Sequence, residues 1–257
     1  MSQPTDQPTD TQRRKFLASA TGVATATAVA PGVFLQSVGN AAPRDTAVTD
    51  AVRYGMLIDT TKCVEGCSDC VDACDKENGL DLLVKPEGAS DELWDMQRPR
   101  WIRNVKLKNN LTGRVTSLPM MCQHCEHPPC VDVCPTGASF RRADGIVMVD
   151  RHTCIGCRYC MMACPYNARS FIHENVQFKP TAAPRGKGCV ESCNLCVHRR
   201  DYGGTTTACQ DACQHQAIVF GDLKDPNSAV SQAMAKYPTV QIRADLNLNT
   251  GVRYTDV

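Results

Sequence analysis

Charge of one sign does not accumulate in this 257-residue chain: 28 lysines and arginines against 27 acidic residues leave a formal net charge of +1. That balance offers neither the basic field of a nucleic-acid-binding protein nor a solvating acidic tail. No C-x-x-C-H is present. Cys193-Asn-Leu-Cys196 runs into Val197, so covalent haem is not indicated. No G-x-G-x-x-G follows a strand-like run, which removes the usual dinucleotide fingerprint. Beyond Val38 no segment is apolar enough to span a bilayer. A chain of this length still suffices for one or two domains with a real core.

The start of the chain carries an address. Arg13-Arg14-Lys15-Phe16-Leu17 precedes a weakly apolar run rich in Ala and Thr, from Ala18 to Val38. Adjacent arginines ahead of such a run resemble a twin-arginine export signal. A membrane anchor is the competing reading. Pro31-Gly32 and the threonines argue against it, because a span needs about 20 mostly apolar residues. Residues 1–41 are therefore read as a signal and 42–52 as a linker, with a periplasmic mature protein that has no anchor of its own.

What the chain has in excess is cysteine, 17 in all. They fall into four groups: Cys63-x3-Cys67-x2-Cys70-x3-Cys74, then Cys122-x2-Cys125-x4-Cys130-x3-Cys134-Pro135, then Cys154-x2-Cys157-x2-Cys160-x3-Cys164-Pro165, and last Cys193-x2-Cys196-x12-Cys209-x3-Cys213. Cys189 is left over. The third group is the bacterial ferredoxin run. Three close thiolates converge on one [4Fe–4S] cube, and the displaced fourth serves the other cluster of a pair. Proline after that cysteine fixes φ and gives up its amide, which suits an element boundary. The second group is the same device with a longer gap. Zinc also uses C-x2-C pairs but explains neither the close triplets nor the repeated trailing x3-Cys. Export would permit disulfides, yet sorting into quartets favours clusters.

Around these groups the sequence predicts short strands at Tyr54–Ile58, Ile146–Val149 and Ala217–Phe220. Hairpins are expected from Ser139–Arg142 to Ile146–Val149 and from Trp101–Lys106 to Arg114–Leu118. A short helix is expected after each x3-Cys. Residues 75–100 and 174–190 read as inserted loops, and 223–257 as a polar C-terminal extension whose best strand is Thr239–Ile242. The fold class is α+β: two ferredoxin-like double-cluster units in one loop-rich chain, over residues 53–222.

With its four motifs in order, the chain resembles the periplasmic four-cluster ferredoxin subunits of membrane oxidoreductases. These accompany polysulfide, tetrathionate and nitrite reductases and periplasmic hydrogenases. The resemblance implies that the first motif shares clusters with the fourth, and the second with the third. An outer pair (residues 54–80 and 186–222) would then be held by Cys63, Cys67, Cys70 and Cys213, and by Cys193, Cys196, Cys209 and Cys74. An inner pair (residues 114–175) would be held by Cys122, Cys125, Cys130 and Cys164, and by Cys154, Cys157, Cys160 and Cys134. Within the family, RYGMLIDTTKCVEGCSDC, CQHCEHPPCVDVCPTGASF, CIGCRYCMMACPYNARSF and NLNTGVRY look most like the O subunits of the DsrMKJOP complex of dissimilatory sulfur metabolism. The implied partners are a quinone-interacting integral membrane subunit and a multihaem cytochrome c or other redox subunit. The first motif departs from the pattern with x3 where x2 is usual, and the fourth has Cys213-Gln214 where Cys-Pro is common.

The complete quartets and the missing nucleotide motif favour electron transfer over catalysis, which wants an open iron or a second cofactor. A stand-alone ferredoxin is the third reading. His124 and His127 lie within a cluster loop, where a Rieske-type site would use two histidines. With all four cysteines present, they are expected to bond backbone or face solvent. Trp94 and Trp101 read as core, and Arg141-Arg142-Ala-Asp144 as a solvated hairpin tip. Cys189 is expected to be a shielded, non-ligating thiol near the outer pair.

Overall fold

The structure is a computed structural model in which residues 48–176 and 185–257 are described. The export signal with Arg13 and Arg14 lies outside the described residues, as does part of the expected loop at 174–190.

A four-stranded sheet closes the chain on itself. Strand β1 (Tyr54–Asp59) lies between β8 (Ile218–Asp222), antiparallel to it, and β10 (Val252–Thr255), parallel to it, and β9 (Thr239–Val240) forms the edge beyond β10. Met56 pairs with both Val252 and Phe220, and Ile58 with both Tyr254 and Ile218. These side chains are buried, and each fully buried one contributes roughly 1.5–3 kcal/mol by leaving water. Helix α7 (Ala229–Lys236), capped by Ser228, lays the fully buried Val230 against Gly221 of β8.

The expectation of a polar C-terminal extension is corrected here. Residues 252–255 form a buried central strand of the main sheet, and Tyr254 has no exposed surface. Val-Arg-Tyr-Thr is too short for its alternation to register in sequence. Its burial comes from pairing with a strand almost two hundred residues away.

Three two-stranded ribbons complete the strands. β2 (Ile102–Lys108) pairs with β3 (Val115–Met121), β4 (Ser139–Arg141) with β5 (Val147–Val149), and β6 (Ser170–Phe171) with β7 (Val190–Glu191). Both predicted hairpins form. Asn109 caps the first turn by accepting from the amides of Leu111 and Thr112, and Gly145 closes the second with φ 87°. The second tip is not solvated, however. Asp144 is buried: its carbonyl accepts from Tyr54 N–H at 3.0 Å, and Arg142 bridges its carboxylate to Asp201 at the end of α5 (Val197–Asp201). Trp101 is core, while Trp94 is half-buried on α2 (Asp91–Gln97), a helix inside the span expected to be loop.

The remaining helices differ from expectation in position. α1 (Asp69–Asn78), α3 (Pro129–Asp132), α4 (Tyr159–Ala163) and α6 (Ala208–Asp211) each contain the third cysteine of a motif instead of following the fourth. Pro135 and Pro165 explain the two central cases, since proline supplies no amide to continue a helix. Only α1 runs through its fourth cysteine. Aspartates open it, and Gly79 ends it in a left-handed conformation at φ 64°.

Gly55 is where β1 meets the loop before β10. A Cβ there would lie 2.4 Å from the carbonyl oxygen of Gly251, while one on Gly186 would meet nothing within 4 Å. Gly55→Ala is expected to cost about 1–3 kcal/mol through overpacking. In anaerobic thermal unfolding its apparent Tm should fall by several degrees, with Gly186→Ala as the unchanged control. Equal Tm values would contradict the close approach.

Candidate metal centres

Each cysteine motif places its sulfurs by the same local device: a loop presents the first thiols, and one turn of helix carries the third. Four residues of α-helix advance about 6 Å. A thiol at the start of the turn and one at its end therefore reach different sites. Cys70 and Cys74 at the two ends of such a turn line separate cavities, as do Cys130 and Cys134, Cys160 and Cys164, and Cys209 and Cys213.

Four cavities result, each walled by four cysteines. Cys63, Cys67, Cys70 and Cys213 surround the first, with ≈ 410 Å³ of atom-free space counted out to its solvent mouth. Cys74, Cys193, Cys196 and Cys209 surround the second (≈ 280 Å³). Cys122, Cys125, Cys130 and Cys164 surround the third (≈ 310 Å³), and Cys134, Cys154, Cys157 and Cys160 the fourth (≈ 300 Å³). The cavities are electrostatic neighbours in that order. Cys70 feels Cys209, Cys193 feels Cys122, and Cys160 feels Cys130. All 17 cysteines are free thiols.

The donor set fits a multi-iron group better than a single ion. Among the described residues, no three His, Cys, Asp or Glu side chains converge closely enough to hold one metal ion. Burial pushes the Cys63 thiol up to about 11 and the Cys70, Cys125 and Cys209 thiols up to about 12, and neighbouring thiols add to the rise. Thiolates this crowded need positive charge among them, which iron supplies. Backbone amides already face several sulfurs. Ser139 N–H donates to Cys134 at 3.3 Å, Ala168 N–H to Cys164 at 3.5 Å and Ala217 N–H to Cys213 at 3.2 Å. Burial acts against the Cys134 thiolate, but bonds from the Ser139 amide and the Thr136 hydroxyl, with neighbouring amides, outweigh it and hold that thiol below its ordinary value.

The histidines behave as the sequence suggests. Burial, helped by Arg169, pushes His124 down to about 3, so it is neutral, and its Nδ1 accepts from Val147 N–H at 3.0 Å. His127 is exposed. The extra residue of the first motif is absorbed in a solvent-exposed turn, where Gly66 takes φ 85° and Glu65 pairs with Lys106.

Cys189 is corrected in position. Its thiol donates to the Arg151 carbonyl at 3.3 Å and neighbours Cys154, which places it beside the fourth cavity and not the outer pair. The strand β7 that follows it pairs with β6, and this pairing carries it there. Sequence reading also passed over Arg169, a buried guanidinium against Cys130. Its one signal was a lone charge between a cysteine loop and a strand.

Thiol quartets of this kind, linked pairwise by single helical turns, define a polycluster ferredoxin-like protein. Comparison with known sequences agrees. A 4Fe–4S dicluster domain model matches residues 114–223, and a second 4Fe–4S dicluster domain model matches residues 62–138. The chain is 38% identical to the Hdr-like menaquinol oxidoreductase iron-sulfur subunit 1 of Archaeoglobus fulgidus, over 94% of this chain and 97% of that one. It is 39% identical to protein NrfC of Escherichia coli K12, over 91% and 90% of the two chains. It is 37% identical to the tetrathionate reductase B subunit of Salmonella typhimurium, over 72% and 64%. The chain belongs to this family of 4Fe–4S dicluster iron–sulfur subunits. It is an electron-transfer subunit and not a catalytic one.

Gly156, in the Cys154–Cys157 loop, sits at φ 71°, and a Cβ on it would lie 2.1 Å from the Gly188 carbonyl oxygen. Gly156→Ala should therefore open the fourth cavity selectively. Bound iron per chain is expected to fall by about one cluster in four, measured on anaerobically purified protein. Unchanged iron would show that the loop gives way freely.

Proposed function

We propose that the chain relays electrons through four [4Fe–4S] clusters on the periplasmic side of a membrane. The ligand sets are the four quartets that wall the cavities, so the first motif shares its clusters with the fourth and the second with the third. The single observation that carries this reading is that each cavity is lined by three cysteines of one motif and the displaced cysteine of another. When bound, the clusters supply one-electron carriers. The protein's part is to hold them in sequence, keep water from the middle pair and offer surface at the ends. Cys157 of the fourth set is exposed, and Ile155 and Met162 beside it are exposed as well. Cys122, Cys125, Cys193, Cys196 and Cys209 of the middle sets are buried.

Electrons would pass between a quinone-interacting integral membrane subunit and a multihaem cytochrome c or other redox subunit, in a complex of the Dsr type. The motif likeness described above and the menaquinol oxidoreductase relative support this. The alternative is the electron-transfer subunit of a polysulfide, tetrathionate or nitrite reductase or of a hydrogenase, for which the tetrathionate reductase relative speaks at nearly equal identity. Among the described residues no helix is long and apolar enough to cross a membrane. Attachment to the membrane is assigned to partner subunits, which co-purification from detergent-solubilised membranes would identify.

Iron analysis of the intact chain should approach roughly sixteen atoms, four for each of four cubes. Cys134→Ser should perturb the cluster held by Cys154, Cys157 and Cys160. Spectroscopic damage confined to the Cys122 cluster would contradict the exchange of ligands. Replacing Arg13 and Arg14 together by lysine should leave cluster-loaded protein in the cytoplasm, and its appearance in the periplasm would remove the export reading.

A further inference from the structure

Arg169 is the buried charge that the relay leaves unexplained. It lies just ahead of β6 in the wall of the third cavity, 5% exposed. Its Nη2 donates to Cys130 Sγ at 3.1 Å. The charge of the same guanidinium also acts on the Cys160 and Cys122 thiols. Cys130 and Cys122 wall the third cavity, whereas Cys160 walls the fourth. The side chain therefore lines the third site and its charge acts on thiols of both. Its Nη1 is buried without a protein acceptor, and no described carboxylate forms an ion pair with it.

A cation buried this deeply needs a counter-charge and acceptors for its N–H groups. Among the described residues, cysteine sulfur is the only counter-charge that the surroundings offer. A cube ligated by thiolates carries net negative charge and gains one more when it accepts an electron from a partner. The guanidinium keeps its protons through that change, because it does not titrate in proteins. Its charge and its N–H···S bond both favour the more negative, reduced state. Resting on the ligand sets proposed above, we infer that Arg169 is the potential-setting residue of the inner pair. It raises the reduction potentials of the clusters held by the Cys122 and Cys154 sets above the values their sulfur ligands alone would give. Among the described residues no cation is shared in this way by the two remaining clusters, so the inner pair is where an electron entering the chain would rest.

Arg169→Gln removes the charge at similar length, and Arg169→Lys keeps the charge while giving up the forked donor. Full-length wild type and both variants would be purified anaerobically, assayed for iron, and titrated electrochemically with the cluster signals read by electron paramagnetic resonance. With full iron, Arg169→Gln is expected to lower two of the four midpoint potentials. Each should fall by at least tenfold in the reduced-to-oxidised ratio, which is 59 mV for one electron, while the other two hold. Arg169→Lys should shift the same two by less. Full iron with all four potentials unmoved overturns the inference. Loss of iron from both variants also overturns it, by making Arg169 a scaffold residue. A wild type without iron would instead sink the ligand sets, a separate failure.

Discussion

Sulfur that must carry negative charge inside protein is the constraint on which this structure depends. Burial alone drives these thiols toward the neutral form, and their mutual repulsion adds to the cost. The chain answers by wrapping each quartet in backbone. Tight loops turn amides toward sulfur, and helices of one turn hand a thiol from one cavity to the next. The apolar core runs from β1 and its two neighbours through Trp101, Leu118, Met121 and Ile146, with buried cysteines interleaved in it.

Buried and half-buried charged side chains add ties to that core. Glu77 of α1 accepts from Arg199 and His198 of α5, tying the first motif to the fourth. The Arg199 bond, against burial and with help from His198, brings Glu77 down to about 2. A carboxylate depressed in the folded state stabilises it fully above the ordinary carboxylate pKa. The contribution fades as pH falls toward 2, so this tie holds throughout the neutral range. Arg53 joins Glu126 and the Asn249 carbonyl, and Arg185 pairs with Glu191 in full burial while donating to the Gly79 carbonyl. The Glu77 tie crosses between motifs, Arg53 joins the start of β1 to the second motif and the C-terminal region, and Arg185 reaches from the segment ahead of the fourth motif to the end of α1.

The cysteine groups were legible because cluster ligation is a local demand: three thiolates on one cube must be neighbours in sequence. Both hairpins were legible for the same reason, through Asn109, Gly113 and Gly145. What escaped was long-range. Helix placement turned on whether the turn precedes or follows the displaced cysteine, and Pro135 and Pro165 mark that boundary more clearly than the spacing does. Asp144 looked solvated, but its carbonyl pairs with Tyr54 N–H and Arg142 links its carboxylate to Asp201 of α5. Arg169 and β10 were invisible because their partners, sulfur in one case and β1 in the other, lie in distant parts of the chain.

The parallel pairing of β1 with β10 has a consequence for how the protein is made. Thr60 Oγ1 donates to the Thr255 carbonyl, Tyr254 donates to Pro119 and accepts from Gln123, and Gly251 N–H donates to the Gln123 carbonyl. Residues 251–255 therefore latch β1 and the loop that begins the second motif. Until that segment is made, β1 keeps an open edge and the Cys122 loop is unclamped. A chain cut short ahead of Gly251 would keep every cysteine and still present that edge to chaperones and proteases.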